Sequence, residues 1–232
     1  MNFKPQIRFF FFLLLAIVSV FIYSCKKSQQ DKPYFGYDYF PLTKGHWVIY
    51  DVDSIYFNDF TGKIDTFHYQ IKEQFGESEG DPIAHDKSTS VTIQRFSRTS
   101  ESNPWAINWV GFATQLKQRL EKVENNQKIV KLTFPIRIGV TWKGNAFNNL
   151  DEWDFKYLEV HESFEVQGQN FDSTVFIQQI DEKNLIEERN YSERYARNVG
   201  LISREIIDVK TEVDGTIISG LKFYQRIKAY SE

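Results

Sequence analysis

The fold is decided by an alternating stretch, Thr66-Phe67-His68-Tyr69-Gln70-Ile71-Lys72-Glu73. Its odd-numbered residues are mainly apolar and its even-numbered residues are polar, so an extended chain here has one face of each kind. The same period of two recurs in residues 129–134, in residues 158–166 with Glu162 as an interruption, and in residues 174–177. This repetition predicts several β-strands that each bury one side.

Turn signals separate the alternating runs at short intervals. The strongest is Asp214-Gly215, for which we predict a type I′ hairpin turn with a positive φ at both central residues. Asn125-Asn126, Gly168-Gln169 and Thr61-Gly62 are three further turn signals. Many short strands joined by tight turns predict an antiparallel meander.

The sequence predicts an all-β fold with one domain over residues 34–232. Helical periodicity is poor, and the best helix candidate is the short segment 191–197, which Asn198 and Gly200 would close. Sheets of many strands twist and must cover their apolar face. We therefore expect a large curved antiparallel sheet that forms a barrel, a half-barrel or a sandwich.

The N-terminus has the organisation of an export signal. Lys4 and Arg8 precede a charge-free apolar run that ends at Ser24. A basic start, an apolar centre and a small residue at the cleavage point are typical of a secretory signal. An uncleaved anchor is the alternative, but the run is close to the lower limit of about 17 residues for a spanning helix. Either way we expect the folded part to lie outside the cytoplasm.

The residues at the end of the apolar run resemble the lipobox of bacterial lipoproteins, in which a small residue precedes a diacylated cysteine. Cys25 follows Ser24 directly, although Tyr23 is larger than the residue usual at its position. The resemblance implies that residues 1–24 are a lipoprotein signal peptide and that Cys25 is lipidated. Residues 25–33 would then be the lipidated cysteine and a polar tether, whose last eight residues reach about 28 Å when extended.

Composition excludes several classes of function. Cys25 is the only cysteine, so the chain has no intramolecular disulfide and no cysteine-based metal site. The formal net charge is −3, and loss of Lys4 and Arg8 with the signal makes the chain more acidic. Nucleic-acid binding needs a clustered basic surface, so we expect no nucleic-acid partner.

The histidines and acidic clusters give no metal site, and we expect no cofactor. His46, His68, His85 and His161 are far apart and lack metal-binding spacing. We interpret His68 as an exposed histidine and His161 as a hydrogen-bonded one. The acidic residues of segment 51–59 lack the glycine and terminal glutamate of a calcium loop, so we place them around a strand end.

No catalytic residue is predicted, and we expect the chain not to be an enzyme. The sequence has no GxSxG, SxxK or Cys/His arrangement and no phosphate-binding glycine pattern. Asp151, Glu152 and Asp154 bracket Trp153, as the two carboxylates of a glycosidase would beside a sugar-binding ring. Neighbouring asparagines favour a polar loop there.

The chain is rich in aromatic residues, which make up 16% of it. The simplest interpretation is that they fill a β core. A second is that some of them line a cavity for an apolar ligand. A third is an exposed platform for sugar stacking, for which Trp105 and Trp109 are the candidates because their spacing places them on one face of a strand.

Three blocks of sequence resemble uncharacterised lipoproteins of Bacteroidetes-type bacteria. The first is Tyr39-Phe40-Pro41-Leu42 with Gly45, Trp47 and Tyr50; the second is residues 131–145; the third is residues 193–201. The resemblance implies a β-rich, membrane-anchored exported domain and brings no assigned activity. The first block also resembles proteins with a half-barrel typical of lipoprotein carriers.

Two functions remain open. The first is a non-catalytic binding or interaction module in the cell envelope that contacts a protein or a glycan. The second is a carrier or sensor of a lipid-like apolar ligand. Lys26 stands where the enterobacterial sorting pattern has an aspartate for inner-membrane retention. By analogy we expect the periplasmic face of the outer membrane, reached through the N-terminal lipid anchor.

Overall fold

The computed structural model describes residues 34–80 and 88–231. The predicted signal peptide, Cys25, the tether and His85 lie outside these residues. One compact unit begins at Phe35. Among the described residues, no helix is long and apolar enough to cross a membrane.

Twelve strands and one 3₁₀ turn, Tyr37–Tyr39, make up the described secondary structure. The strands are β1 (Trp47–Phe57), β2 (Ile64–Gly80), β3 (Thr89–Arg98), β4 (Ala106–Gln115), β5 (Arg119–Glu124), β6 (Gln127–Thr133), β7 (Thr141–Lys143), β8 (Asp154–Val166), β9 (Gln169–Lys183), β10 (Glu187–Ala196), β11 (Gly200–Thr211) and β12 (Ile217–Tyr230).

All twelve strands form one antiparallel sheet in the order β6-β5-β4-β3-β2-β1-β12-β11-β10-β9-β8-β7. Each strand therefore lies beside its neighbour in sequence, except that β1 pairs with β12 and that β6 and β7 are the two edges. The sheet curls into a nearly closed barrel. The predicted all-β fold is confirmed, and the barrel is the form it takes.

The two edges of the sheet meet along a seam between β6 and the β7–β8 hairpin. The Val130 N–H donates to the Gly144 carbonyl at 2.8 Å, and Trp142 Nε1 donates to the Val130 carbonyl at 2.8 Å. The Tyr157 hydroxyl accepts from the Thr133 N–H and donates to the Thr133 carbonyl, both at 3.0 Å. Buried edge groups need such partners, so the seam satisfies part of the edge of β6.

The four predicted turns are all present, with two corrections. Asn125 and Asn126 have φ of 49° and 61° and join β5 to β6 as a two-residue turn. The β1–β2 turn carries Gly62 at φ 64°. The β8–β9 turn lies one residue earlier than predicted, because the positive φ values belong to Gln167 and Gly168.

The Asp214-Gly215 hairpin forms, but the prediction of a type I′ turn was wrong. β11 ends at Thr211 and β12 begins at Ile217. Between them Gly215, with a φ of 89°, is the residue with a positive φ. The Gly215 N–H donates to the Glu212 carbonyl and the Glu212 N–H to the Thr216 carbonyl. This is a type I turn followed by a left-handed glycine, the usual form of a longer hairpin loop.

The helix candidate at 191–197 was also wrong, because most of this segment belongs to β10. Glu193, Arg194, Tyr195 and Ala196 are all buried. Because polar side chains occur on both faces of this strand, its sequence does not show the apolar–polar alternation of a half-buried strand. Asn198 and Gly200, which were predicted to close that helix, have φ of 63° and 97° where the chain turns from β10 into β11.

The chain enters the barrel across one end, which we call the entry end. The Tyr37 hydroxyl donates to the Lys117 carbonyl of the β4–β5 turn, and the Asn198 N–H donates to the Asp38 carbonyl. Phe40 packs against Phe75 and Tyr195 with ring centroids 5.7 and 6.1 Å apart. Segment 35–40 therefore covers this end of the core with aromatic rings.

The opposite end, which we call the distal end, carries the β1–β2, β9–β10 and β11–β12 turns. Their common position follows from the register, in which Phe57 pairs with Gly220 and Glu188 pairs with both Lys183 and Val209. β1 runs from the entry end to the distal end and spans about 36 Å at about 3.3 Å per residue.

The β8–β9 hairpin bends over the outside of the sheet. Register shifts interrupt the pairing near His161, which has a φ of 64°. The tip of the hairpin reaches β12, where Gln169 Nε2 donates to the Lys228 carbonyl at 3.0 Å and Phe171 packs against Tyr230. Bulges of this kind bend a strand and increase its twist.

Candidate functional site

The interior of the barrel contains seven charged side chains, which we call the interior charge network. They lie on β2, β3, β5, β6, β10 and β11, and most of them are buried. The members are Glu73, Arg95, Lys122, Glu124, Lys131, Glu193 and Arg204.

One half of the network surrounds Glu73. Lys122 Nζ lies 2.9 and 3.0 Å from the two Glu73 carboxylate oxygens, and Arg95 Nη2 lies 2.6 Å from Oε1. Burial alone would raise the pKa of Glu73, but Lys122 and Arg95 outweigh it and hold that pKa at about 2. Arg95 also lies 4.8 Å from the centroid of the Trp109 ring.

The other half of the network is centred on Glu193 and Arg204 of the adjacent strands β10 and β11. Two of its contacts cross the barrel to β6 and β5, which are not neighbours of these strands in the sheet. Lys131 Nζ on β6 lies 2.6 Å from Glu193 Oε1 on β10. Arg204 Nη2 on β11 lies 2.9 Å from Glu124 Oε1 on β5, and Arg204 Nε donates to Glu193 Oε1 at 2.7 Å. Tyr195 donates to Glu193 Oε2 at 2.6 Å. These contacts join opposite walls of the barrel.

The electrostatics of this second half follow from burial and opposite charge together. Burial alone would raise the pKa values of Glu124 and Glu193, but Arg204 and Lys131 hold both below their usual range. Burial, together with the nearby Glu193, raises the pKa of Tyr195. All the carboxylates therefore stay ionised at neutral pH, and each has cationic partners. The three carboxylates face four cations, so the network has a formal charge of +1, and its contacts link the walls of the barrel.

Two grooves on the described part of the chain have enough volume for a ligand or a peptide segment. The first has a volume of 720 Å³ and lies where β3 ends, beside Phe67 and Tyr69 of β2 and opposite Pro104 and Ala106. The second has a volume of 340 Å³ and lies beside Phe164, Phe176 and Arg194.

Arg194 in the second groove is held by its own neighbours. Its guanidinium lies 4.0 and 4.7 Å from the ring centroids of Phe164 and Phe176, and its Nη2 lies 2.7 Å from Glu159 Oε2. Its Nη1 donates to Thr174 Oγ1 at 3.0 Å. Arg194 therefore fastens the bent β8–β9 hairpin to β10, which is a structural role.

Exposed apolar side chains gather on the three turns of the distal end. Phe60 exposes 94% of its surface, Leu185 74% and Val213 73%, and Ile64 and Ile186 are also exposed. We call these five residues the apolar rim. Exposed apolar patches of this kind mark interaction sites more often than scattered single residues do.

The structure places the predicted histidines as expected. His68 is exposed, with Nδ1 2.5 Å from Asp53 Oδ1, and His161 Nδ1 lies 2.7 Å from the Tyr39 hydroxyl. His46 is buried and lies within hydrogen-bond distance of the Val199 carbonyl and the Ser231 hydroxyl. Within residues 34–80 and 88–231, no group of three or more His, Cys, Asp or Glu side chains could hold a metal ion.

Of the two acidic clusters, residues 151–153 lie in a loop before β8 as predicted, whereas Asp51 and Asp53 do not lie at the predicted strand end. Asp51 and Asp53 lie within β1 instead of at a strand end, and they contact Gln70 and Arg226. Glu152 and Asp154 are exposed and lie 3.4 and 3.1 Å from Lys143 Nζ. The ring of Trp153 packs edge-on against Tyr191, with the ring centroids 5.2 Å apart.

The two tryptophans do not form one platform. Trp105 precedes β4 and its ring lies under Arg98, with the guanidinium 4.3 Å from the ring centroid. Trp109 packs against the core. The pairing of β3 with β4 skips Asn108, and this extra residue reverses the alternation that the spacing of the tryptophans assumed.

No protein-family model and no curated protein matches the sequence. Two solved structures resemble the chain over 83% of its length and 98% of their own. One is a candidate exported protein with a YmcC-like fold from Bacteroides fragilis, with a TM-score of 0.48 and 11% identity. The other is a candidate lipoprotein from Parabacteroides distasonis, with a TM-score of 0.45 and 14% identity. Both belong to the bacterial group that the sequence blocks resemble, while the blocks themselves stay a prediction.

The interior charge network is the feature that sequence reasoning missed. Its signal was Glu73, which shares the apolar face of the alternating stretch, and Lys131, which lies inside another strand. A charged residue on the buried face of a strand needs a partner of opposite charge. The pairing itself joins residues that are 62 and 80 positions apart, which local patterns do not reveal.

Proposed function

We propose that this chain is an exported, lipid-anchored interaction module of the cell envelope that acts without catalysis and presents its distal end to another envelope component. Lipidation of Cys25 would attach it to the outer membrane, on the periplasmic face. The observation that carries the proposal is the apolar rim, which gathers five exposed apolar side chains on three separate turns.

The position of the rim supports this role. The described fold begins at Phe35, whose carbonyl accepts from the Ile136 N–H at the entry end. The rim lies at the other end of β1, about 36 Å farther along the barrel. The start of the described fold and the rim are therefore at opposite ends of the barrel.

The interior argues against the carrier alternative. A lipid-like ligand needs an apolar space in the barrel, as in ligand-binding barrels. Here Lys122 and Lys131 expose only 2% and 3% of their side chains and lie inside the barrel beside Glu73 and Glu193. An apolar chain in that position would separate buried charges from their partners, which is strongly unfavourable.

Anchoring is tested by expressing the full chain in a Bacteroides-type host and labelling it with a palmitate analogue. We expect label on the wild type and none on Cys25→Ser, and we expect this variant to leave the membrane fraction. Equal labelling of both proteins would contradict lipidation of Cys25.

Recognition through the rim is tested with a photo-crosslinking residue placed in the full lipidated chain at Phe60 or Val213. The matched control is Ile138, which exposes 70% of its surface but lies in the β6–β7 loop of the entry end. We expect a discrete cross-linked species from the rim positions and not from the control. The same pattern from all three positions would overturn the proposal.

A further inference from the structure

We propose that the free edge of β2 accepts an extended peptide from a partner protein as an added β-strand. The inference deepens the proposed function, on which it rests, because it names the chemical class of the partner and the place where it binds. The juxtaposition that carries it is an unpaired stretch of sheet edge beside the 720 Å³ groove.

The free edge is residues 64–69 of β2. The β2–β3 ladder begins at the pair Gln70–Arg98, whereas the β1–β2 ladder continues to Ile64. Of the strands that the structure describes, only β1 pairs with these six residues. In an antiparallel sheet every second residue of an edge directs its N–H and C=O outward, so this edge offers donors and acceptors in a regular row.

The edge lacks most of the devices by which proteins block strand addition. Its sequence is Ile64-Asp65-Thr66-Phe67-His68-Tyr69, without lysine or proline and with Asp65 as its one acidic residue. The β1–β2 register runs from Phe57–Ile64 to Trp47–Gln74 without a shift, so no bulge twists the edge away. A regular edge of this kind is a template for another strand.

The β3–β4 turn is held away from this edge, which leaves the line of β3 vacant. Arg98 Nε donates to Gln70 Oε1 at 2.7 Å and its Nη1 donates to the Glu101 carbonyl at 3.1 Å. Glu101 also forms an ion pair with Lys228 of β12. These contacts fold the turn back over the outside of β2 and β1, so β3 stops six residues short of the end of β2.

The walls of the groove define what fits. Phe67 and Tyr69 lie on the same face of β2 as the buried Ile71 and Glu73, which is the face toward the barrel interior. Phe67 is nevertheless exposed, because β3 does not extend beside it. Pro104 and Ala106 bound the groove on the other side. An added strand with apolar residues at every second position would pack them beside Phe67 and Tyr69.

The width of the groove favours a peptide over a second copy of this chain. The vacant space continues the line of one strand and lies between residues 66–69 of β2 and Asn103, Pro104 and Ala106, which line its other side. A second copy that paired through the same edge would bring β1 along with β2, because these strands are paired over the whole of 64–74. A single extended segment needs no such room.

The experiment uses the full lipidated chain in detergent and a phage library of random linear 12-residue peptides. Selected peptides are synthesised, their affinities are measured by fluorescence anisotropy, and backbone hydrogen exchange locates the protected amides. We expect alternating apolar positions in the peptides and slowed exchange within residues 64–69. Protection elsewhere, or selection of no peptide that protects this segment, would overturn the inference.

Two variants test the groove from its opposite walls. Phe67→Lys places a charge on the inner side of the edge, and Ala106→Trp fills the groove; we expect each to weaken peptide binding at least tenfold. Ile138→Lys makes the same kind of change at an exposed apolar residue of the β6–β7 loop, outside both the rim and the groove, and should change affinity less than twofold. If both groove variants bind the peptide with unchanged affinity, the inference is contradicted.

Other results separate the inference from the proposed function. Slower exchange within 64–69 when the protein alone is concentrated would assign the edge to a second copy and overturn the peptide proposal. Rim cross-links from Phe60 or Val213 without peptide binding at β2 would leave the proposed function standing and remove this inference alone.

Discussion

Inside the barrel Glu193 exposes 1% of its surface, whereas at the distal end Phe60 exposes 94%. Charge is thus buried where apolar residues are usual, and apolar surface is exposed where polar residues are usual. The buried charges have partners within the fold, and the apolar side chains of the rim are exposed to solvent. The difference indicates that the interior network holds the walls of the barrel together, and it is the basis of our proposal that the rim contacts another component.

The largest effect is expected from breaking the interior charge network at Glu193. Glu193→Gln removes the charge that faces Lys131 and Arg204, which stay buried, so the free energy of unfolding should fall by about 3–5 kcal/mol. The control is Glu182→Gln, because Glu182 is exposed and its pair with Arg189 contributes about 1 kcal/mol or less. Urea denaturation of both variants measures the contrast, and equal losses would contradict it.

Acid should weaken the interior and leave the rim unaffected. The pKa of Glu73 is about 2 in the fold against 4.5 as its ordinary value. A lowered pKa stabilises the fold above pH 4.5, and this contribution disappears as the pH falls toward 2. At about 1.4 kcal/mol per pKa unit, Glu73 accounts for about 3 kcal/mol.

The measurement is the urea midpoint between pH 7 and pH 2.5, with Glu73→Gln as the comparison. The wild type should lose stability steadily below pH 4.5, with Glu124 and Glu193 acting in the same direction. The variant should start lower and fall less. A wild-type midpoint at pH 3 equal to that at pH 7 would show that these carboxylates are not held as the network requires.

The seam between β6 and β8 should give an intermediate effect. Tyr157→Phe leaves the Thr133 N–H and carbonyl without the hydroxyl that bonds both, which should cost about 1–3 kcal/mol. Tyr56→Phe removes a hydroxyl from an exposed tyrosine of β1 and should change stability by less than about 0.5 kcal/mol. Thermal unfolding of the pair measures the difference, which should be absent if the seam opens in solution.

The smallest effect on folding is expected at the rim. A triple variant with Phe60→Ser, Leu185→Ser and Val213→Ser should unfold within about 1 kcal/mol of the wild type, because these side chains are exposed. Calorimetry of the full chain measures this value. A loss above about 2 kcal/mol would mean that the rim packs within the domain, and the contrast between rim and interior would no longer hold.

Local patterns predicted the strands and turns but not the contacts across the barrel. Asn125-Asn126 and the alternation of 66–73 could be read because turn geometry and strand period depend on adjacent residues. The segment 191–197 was misjudged because Glu193 and Arg194 are buried by distant partners. Trp105 and Trp109 were misjudged because one extra residue in β4 reverses the faces.

The candidate sites also divide into features that local sequence predicts and features that depend on contacts between distant residues. The exposure of His68 and the bonded state of His161 could be predicted from strand faces alone. The rim could not be predicted, because its three turns are brought to one end only by the pairing of β1 with β12 and of β10 with β9 and β11. The free edge of β2 depends on where β3 ends, and Glu101 and Lys228 determine that point from far apart in the chain.

The place of β1 between β2 and β12 has a consequence for the order in which the protein can be assembled. β2 follows β1 directly, but β12 holds the final strand residues, and its end is fastened where the Ser231 N–H donates to the Trp47 carbonyl at 2.9 Å. Strands that pair over such a separation form late, after the local hairpins. A nascent chain can therefore build its hairpins one by one as it emerges, but the barrel closes around β1 only after synthesis has passed β12.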